Sequence, residues 1–278
     1  MKRPLWQRPS VWALLVLAAL LVVFLRRWIH HAQLESVPVI VPPAVPAEQV
    51  VAPPAGAIAQ RMVAEAKEFF SPPQRPKLAV LTFDDGPFPV ITPLLLAQLR
   101  ALGVPATFFV IGRDARAQPA ITQRAARAGI VLGNHTLTHP EMGSLPFAAQ
   151  QAEIAGGAKV IATFTGSPPA YFRPPHGNYN AATIDAARSL GETMVLWDVD
   201  PGDWRSIGAD EIVASVTTRA RSPAVILLHN GKEATVEALP KIVRAYRAAG
   251  FEFVTLAQLQ ARLPLDAIND PLRVTVTP

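Results

Sequence analysis

The chain has 278 residues, of which 50% are hydrophobic, with a formal net charge of +5 and no cysteine. That composition supports a sizeable core and excludes global disorder, a disulfide framework, a thiolate nucleophile and a thiolate metal site. The modest positive charge suits an anionic surface such as cell-wall polymer or lipid headgroups, and without a basic helix or aromatic-basic interleaving it does not indicate nucleic acid.

The first element is an uninterrupted apolar run, Val11 to Leu25, preceded by Lys2, Arg3 and Arg8 and followed by Arg26-Arg27. At about 1.5 Å per residue the run is short for a bilayer span, yet Trp6, Trp28 and Ile29 extend it. A cleaved signal peptide has a comparable stretch. The arginines directly after the run and the lack of a small-x-small site instead predict an uncleaved transmembrane signal anchor over residues 1–30. The basic excess on the N-terminal flank predicts a cytoplasmic N-terminus and an extracytoplasmic remainder.

Residues 31–57 read as a Pro-rich linker, with Val41-Pro42-Pro43-Ala44-Val45-Pro46 and Ala52-Pro53-Pro54-Ala55-Gly56 favouring an extended, semi-rigid spacer. Residues 58–76 read as an accessory helix and connector: Ile58, Met62, Val63, Ala66, Phe69 and Phe70 recur at helical spacing before Pro72-Pro73.

From Lys77 short apolar runs alternate with amphipathic segments. Strands are predicted at Leu78–Phe83, Ala106–Ile111, Ile130–Leu132, Ala170–Phe172, Met194–Val199, Ala224–Leu228 and Phe251–Leu256. Helices are predicted at Pro93–Leu102, Pro119–Ala128, Phe147–Phe164, Ala181–Leu190, Ala209–Arg221 and Val236–Ala249. This alternation indicates an α/β domain over 77–263 whose mostly parallel sheet is covered by helices, with seven strands suggesting an incomplete (β/α) barrel. Residues 264–278 form a C-terminal tail.

The chemistry-bearing residues fall just after strands. Asp84-Asp85 runs into Gly86-Pro87, and His135 and His139 are four positions apart. Adjacent side chains on a strand point to opposite faces, so the two carboxylates share a site only if the strand ends at Phe83 and the turn redirects the backbone. One Asp with two His is a facial set suited to zinc, and the other Asp is then free to act as a base on water. Two carboxylates buried together repel, and a dication neutralises them. The His spacing fits one helical face, but Pro140 disfavours helix there, so a tight turn fits as well. His229 ends the aliphatic run Val225-Ile226-Leu227-Leu228, and Asp198, Asp200 and Asp203 compete as its carboxylate partner.

Five segments in order resemble the motifs of the polysaccharide deacetylases of the NodB-homology type, carbohydrate esterase family 4. They are Thr82-Phe83-Asp84-Asp85-Gly86-Pro87, His135-Thr136-Leu137-Thr138-His139, Arg173-Pro174-Pro175-His176-Gly177, Asp200-Pro201-Gly202-Asp203-Trp204 and Leu227-Leu228-His229. The resemblance covers roughly Lys77 to Leu263 and itself implies an incomplete barrel. It also implies a metal, Zn2+ with Co2+ or another divalent transition metal as substitutes, on Asp85, His135 and His139. Asp84 is then the base, Arg173 its holder, His229 the general acid and Asp203 the residue that tunes it. Pro175, His176, Trp204 and Leu227 are assigned to the substrate pocket. Two departures stand out: His176 where relatives carry Tyr, and Asn230 where an Asp often follows the last His.

The implied reaction is hydrolytic removal of N-acetyl groups from a hexosamine-containing envelope polysaccharide, peptidoglycan or chitin-like, with release of acetate. O-acetyl ester or small-amide hydrolysis at the same site, and an inactive anchored wall-binding protein, are the alternative readings.

Overall fold

The computed structural model describes residues 77–262. The expected anchor, Pro-rich linker, accessory helix and C-terminal tail lie outside the described residues. Among the described residues no helix is long and apolar enough to cross a membrane.

The order of elements is β1 (Lys77–Asp84), α1 (Ile91–Leu102), β2 (Ala106–Val110), α2 (Gly112–Ala117), α3 (Pro119–Arg127), β3 (Val131–Asn134), α4 (Phe147–Thr165) and β4 (Tyr171–Phe172). Then follow α5 (Ala181–Ser189), β5 (Thr193–Met194), α6 (Ala209–Thr218), β6 (Ala224–His229), α7 (Glu233–Ala248), β7 (Phe251–Phe253) and α8 (Leu256–Arg262). All strand pairs are parallel, in the order β5-β4-β3-β2-β1-β6, with β7 paired to the start of β1. Beyond β5 the chain reaches the far end of this strip, where Val199 bridges Ile226 of β6. The sheet thus curls back on itself as the incomplete barrel that the alternation predicted.

Alternation along β1 sorts the core into two sides. Ala79, Leu81 and Phe83 join the outer layer with Leu95 and Leu99 of α1, Ile212 of α6 and Leu239, Ile242 and Tyr246 of α7. Each large apolar side chain buried here contributes about 1.5–3 kcal/mol. Leu78 and Val80 face the other way, into a smaller cluster with Phe109, Tyr171 and, from α8, Leu256 and Leu259. Thr82 and Asp84 continue this inner face toward the carboxyl ends of the strands, where parallel barrels carry their chemistry.

The predicted strand Met194–Val199 is the main difference. Only Thr193–Met194 form β5, because the Arg173 guanidinium donates to the carbonyls of Val195 (3.0 Å) and Leu196 (2.9 Å). Two carbonyls free for a ladder are thereby satisfied by a side chain. The six-residue helix α2 is too short to show an apolar period, and the predicted strand Phe251–Leu256 ends at Phe253, with Leu256 opening α8 instead.

Candidate active site

β1 continues through Asp84, one residue further than predicted, so Asp84 stays in phase with Thr82 on the inner face. The backbone turns at Asp85 itself (φ 72°) and again at Gly86 (φ 71°), which brings the second carboxylate to the same side. The left-handed region costs a non-glycine residue about 1–3 kcal/mol where the surroundings enforce it. Thr136 (φ 70°) and His139 (φ 68°) adopt it too. There Thr136 Oγ1 accepts the His139 N–H (2.9 Å) and Asn134 Oδ1 accepts the Thr136 N–H (3.0 Å). The four-residue histidine spacing is therefore a tight turn and not a helical face.

This turn brings Asp85, His135 and His139 together, with one ligating atom from each within 4.8 Å of the others. His139 Nε2 lies 3.3 Å and His135 Nε2 3.8 Å from Asp85 Oδ1. His135 Nδ1 is 2.8 Å from the Arg173 carbonyl, which only accepts. Nδ1 therefore carries the proton and the Nε2 lone pair faces the cluster, the arrangement that orients metal-binding imidazoles. Burial pulls the His135 pKa below its ordinary value despite the neighbouring carboxylates, so the imidazole is neutral and able to donate. Burial raises the Asp85 pKa, but the His139 hydrogen bond and nearby imidazoles outweigh it, and the net direction is down. Two imidazoles and one carboxylate fit a divalent transition metal.

Asp84 is fixed by the buried Arg173. Nη1 donates to Asp84 Oδ1 (2.7 Å) and to Thr82 Oγ1 (2.8 Å), and the guanidinium lies 4.2 Å from the Phe109 ring centroid. With Oδ1 occupied, Asp84 Oδ2 is left facing His135 Nε2 at 3.8 Å. One carboxylate thus stands beside the cluster without being one of its three donors.

Across the β1–β6 ladder, His229 is the register partner of Asp84. Asp203 Oδ1 lies 2.7 Å from His229 Nδ1, while Oδ2 accepts the His229 backbone N–H (2.7 Å) and the Thr235 hydroxyl (2.7 Å). The other two carboxylates are committed elsewhere: Asp198 pairs with Arg221 (3.0 Å), and Asp200 caps the Gly202 N–H (2.8 Å). Burial lowers the His229 pKa, but the Asp203 hydrogen bond and the Asp203, Asp84 and Asp85 charges prevail, and the pKa is raised. With Nδ1–H engaged by Asp203, Nε2 is the atom left to exchange a proton.

The expected pocket residues are placed unequally. Trp204 is 49% exposed with Arg205 over its ring (4.7 Å), whereas Pro175 is buried. Leu227 is buried too, on the same strand face as His229 two residues before it, which makes it floor and not rim. His176 is half-exposed, its Nδ1 2.6 Å from Glu141 Oε1 and its ring 4.8 Å from that of His139. Sequence reasoning missed Glu141, Thr82, Thr235 and Trp197, whose ring lies over Gly177 and 5.6 Å from Arg173. Thr82 stands inside a recognised motif and its inward phase could have exposed it. The others join the site only through tertiary contact.

The polysaccharide deacetylase family profile matches residues 71–195. A peptidoglycan-N-acetylglucosamine deacetylase of Bacillus cereus is 35% identical over 67% of this chain and 90% of its own length. A chitooligosaccharide deacetylase of a Bradyrhizobium species is 36% identical over 64% of this chain and 89% of its own. The solved structure of a family 4 carbohydrate esterase from Streptomyces lividans, in complex with acetate, superposes with a TM-score of 0.60 at 37% identity, covering 63% of this chain and 90% of that one. The fold, the site and these relatives agree: the chain belongs to the polysaccharide deacetylases of carbohydrate esterase family 4.

Proposed function

We propose that this chain removes N-acetyl groups from a hexosamine-containing polymer of the cell envelope, peptidoglycan or chitin-like, and releases acetate. The observation that carries the reading is the pairing of Asp84 and His229 as register partners flanking the Asp85, His135 and His139 cluster. Those three residues would hold a divalent transition metal, zinc first by its donor set, which would supply Lewis-acid polarisation of the acyl carbonyl and acidify water.

Everything else is asked of the chain. Asp84, steadied by Arg173, takes the proton from the attacking water through Oδ2. The water oxygen adds to the amide carbon, and the backbone N–H of His176, a donor that survives exchange of the side chain, serves the developing oxyanion. His229, kept protonated by Asp203, delivers its Nε2 proton to the departing nitrogen as the C–N bond breaks, leaving acetate and a free amine. Leu227 floors the site beneath His229 and suits the acetyl methyl, while Trp204 walls the sugar.

The excess of basic residues before Val11 to Leu25 supports a membrane-anchored protein with its catalytic domain outside the cytoplasm. The chemistry is tested by measuring free amine and acetate produced from N-acetylated oligosaccharides by the wild type and by Asp84→Asn. Equal turnover by the two would remove the proton acceptor from this account.

A further inference from the structure

Phe88 is a large apolar side chain left 38% exposed three residues after Asp85. Its ring lies over two glycines, one on each side of the site. A Cβ on Gly86, next to Asp85, would come within 2.9 Å of the ring, and one on Gly231, two residues past His229, within 2.6 Å. Both glycines have positive φ, 71° and 99°, so shape and backbone together keep that space for the ring.

The backbone of Phe88 is pinned as well. Its N–H donates to Thr92 Oγ1 (2.7 Å), whose hydroxyl donates to Asn230 Oδ1 (2.8 Å), and the Asn230 N–H donates to the Asp84 carbonyl (2.8 Å). Thr92 and Asn230 are both buried. A buried relay therefore ties this ring to the residues that follow His229 and to the strand end that carries Asp84. The backbone of Trp204, a residue 49% exposed, is tied to the same segment: its carbonyl accepts from Lys232 Nζ (3.3 Å). Beyond Phe88 the apolar surface continues through Val90 and Leu94, both more than half exposed.

We propose that Phe88 is a substrate-contacting specificity residue, stacking on the apolar face of a pyranose ring next to the one that loses its acetyl group. The proposal rests on the polysaccharide reading above and adds which residue makes chain length matter. The ring covers Gly86 and Gly231 and still leaves the residue 38% exposed beside the site. It is held rigidly with a face open to solvent, so a sugar binds it at little ordering cost. The flat C–H face of a pyranose suits an aromatic surface, and the apolar strip through Val90 suits a substrate extending past one residue.

The test compares steady-state deacetylation of N-acetylglucosamine and of chitooligosaccharides up to the hexasaccharide by the full chain, with Phe88→Ala, Phe88→Leu and Phe88→Tyr. For the hexasaccharide, Phe88→Ala should raise KM about tenfold, as partial exposure of one aromatic face implies. KM for N-acetylglucosamine, which has no neighbouring ring, and kcat at every length should hardly change. Phe88→Tyr should restore the hexasaccharide KM and Phe88→Leu should not. A change in KM independent of length, or equal rescue by Leu, would overturn this inference alone. No acetate from any of these oligosaccharides with the wild type would overturn the parent reading and this one with it.

Discussion

Removing the Arg173 side chain is the perturbation whose cost the structure defines best. The side chain is fully buried and makes four donor contacts: to Asp84, to Thr82 and to the Val195 and Leu196 carbonyls. Arg173→Ala leaves one buried carboxylate unpaired, two carbonyls without their donor and a cavity beside Phe109. Breaking a buried pair from one side costs about 3–5 kcal/mol, since the stranded charge must be desolvated without compensation. At about 2–4 °C per kcal/mol for a domain of this size, the melting transition should fall by roughly 6 to 20 °C. Urea unfolding followed by circular dichroism should show a lower midpoint with an unchanged slope. Placing Arg173→Ala in an Asp84→Asn background isolates the pair, and the second substitution should then cost less by about 0.5–3 kcal/mol. A loss of under about 1 kcal/mol, or the same loss in both backgrounds, would show that Arg173 does not hold Asp84.

Asp203→Asn removes the anion that helps raise the His229 pKa, so the alkaline limb of the rate profile should move to lower pH, since the acid form is lost as pH rises through that pKa; an unmoved limb would mean that His229 is not the acid or is tuned by another group. His135→Ala and His139→Ala should remain folded but lose metal by elemental analysis, and chelation of the wild type should abolish activity that zinc or cobalt restores. Buried Glu192, whose pKa is pushed up by burial to about 8 despite the hydrogen bond from Asn134, retains its proton in the folded state at neutral pH. Its contribution to stability is therefore full below about 4.5, its ordinary value, and is lost as pH rises toward about 8. Glu192→Gln should flatten that decline in urea titrations across the range. A reporter fused after Pro278 should be active outside the cytoplasm with the full-length protein in membranes; a mature form beginning near Ala32 or Gln33 would instead establish cleavage.

The parallel sheet and its helices were legible because their signals are local: apolar runs of strand length and helical spacing between them. The end of β5 was not legible. Met194–Val199 reads as an apolar run, but Arg173, directly after β4, takes the Val195 and Leu196 carbonyls. The direction of the turn after β1 was similarly hidden. Gly86 is the residue a reader expects to bend, whereas Asp85 bends first and so keeps Asp84 on the inner face. Within the site, types at fixed spacing picked out the Asp and His cluster, but the choice among Asp198, Asp200 and Asp203 needed either a motif match or the 2.7 Å contact with His229. Glu141 and Thr235 carry no such pattern, and only the folded chain brings them to His176 and Asp203.

The central claim is most directly tested by mass spectrometry of products after the purified protein is incubated in parallel with peptidoglycan, chitooligosaccharides and acetylated xylan. The account predicts that the N-acetylhexosamine substrates lose acetyl groups, each matched by one free amine and one acetate. Acetate from acetylated xylan alone, or from none of the three, would contradict it.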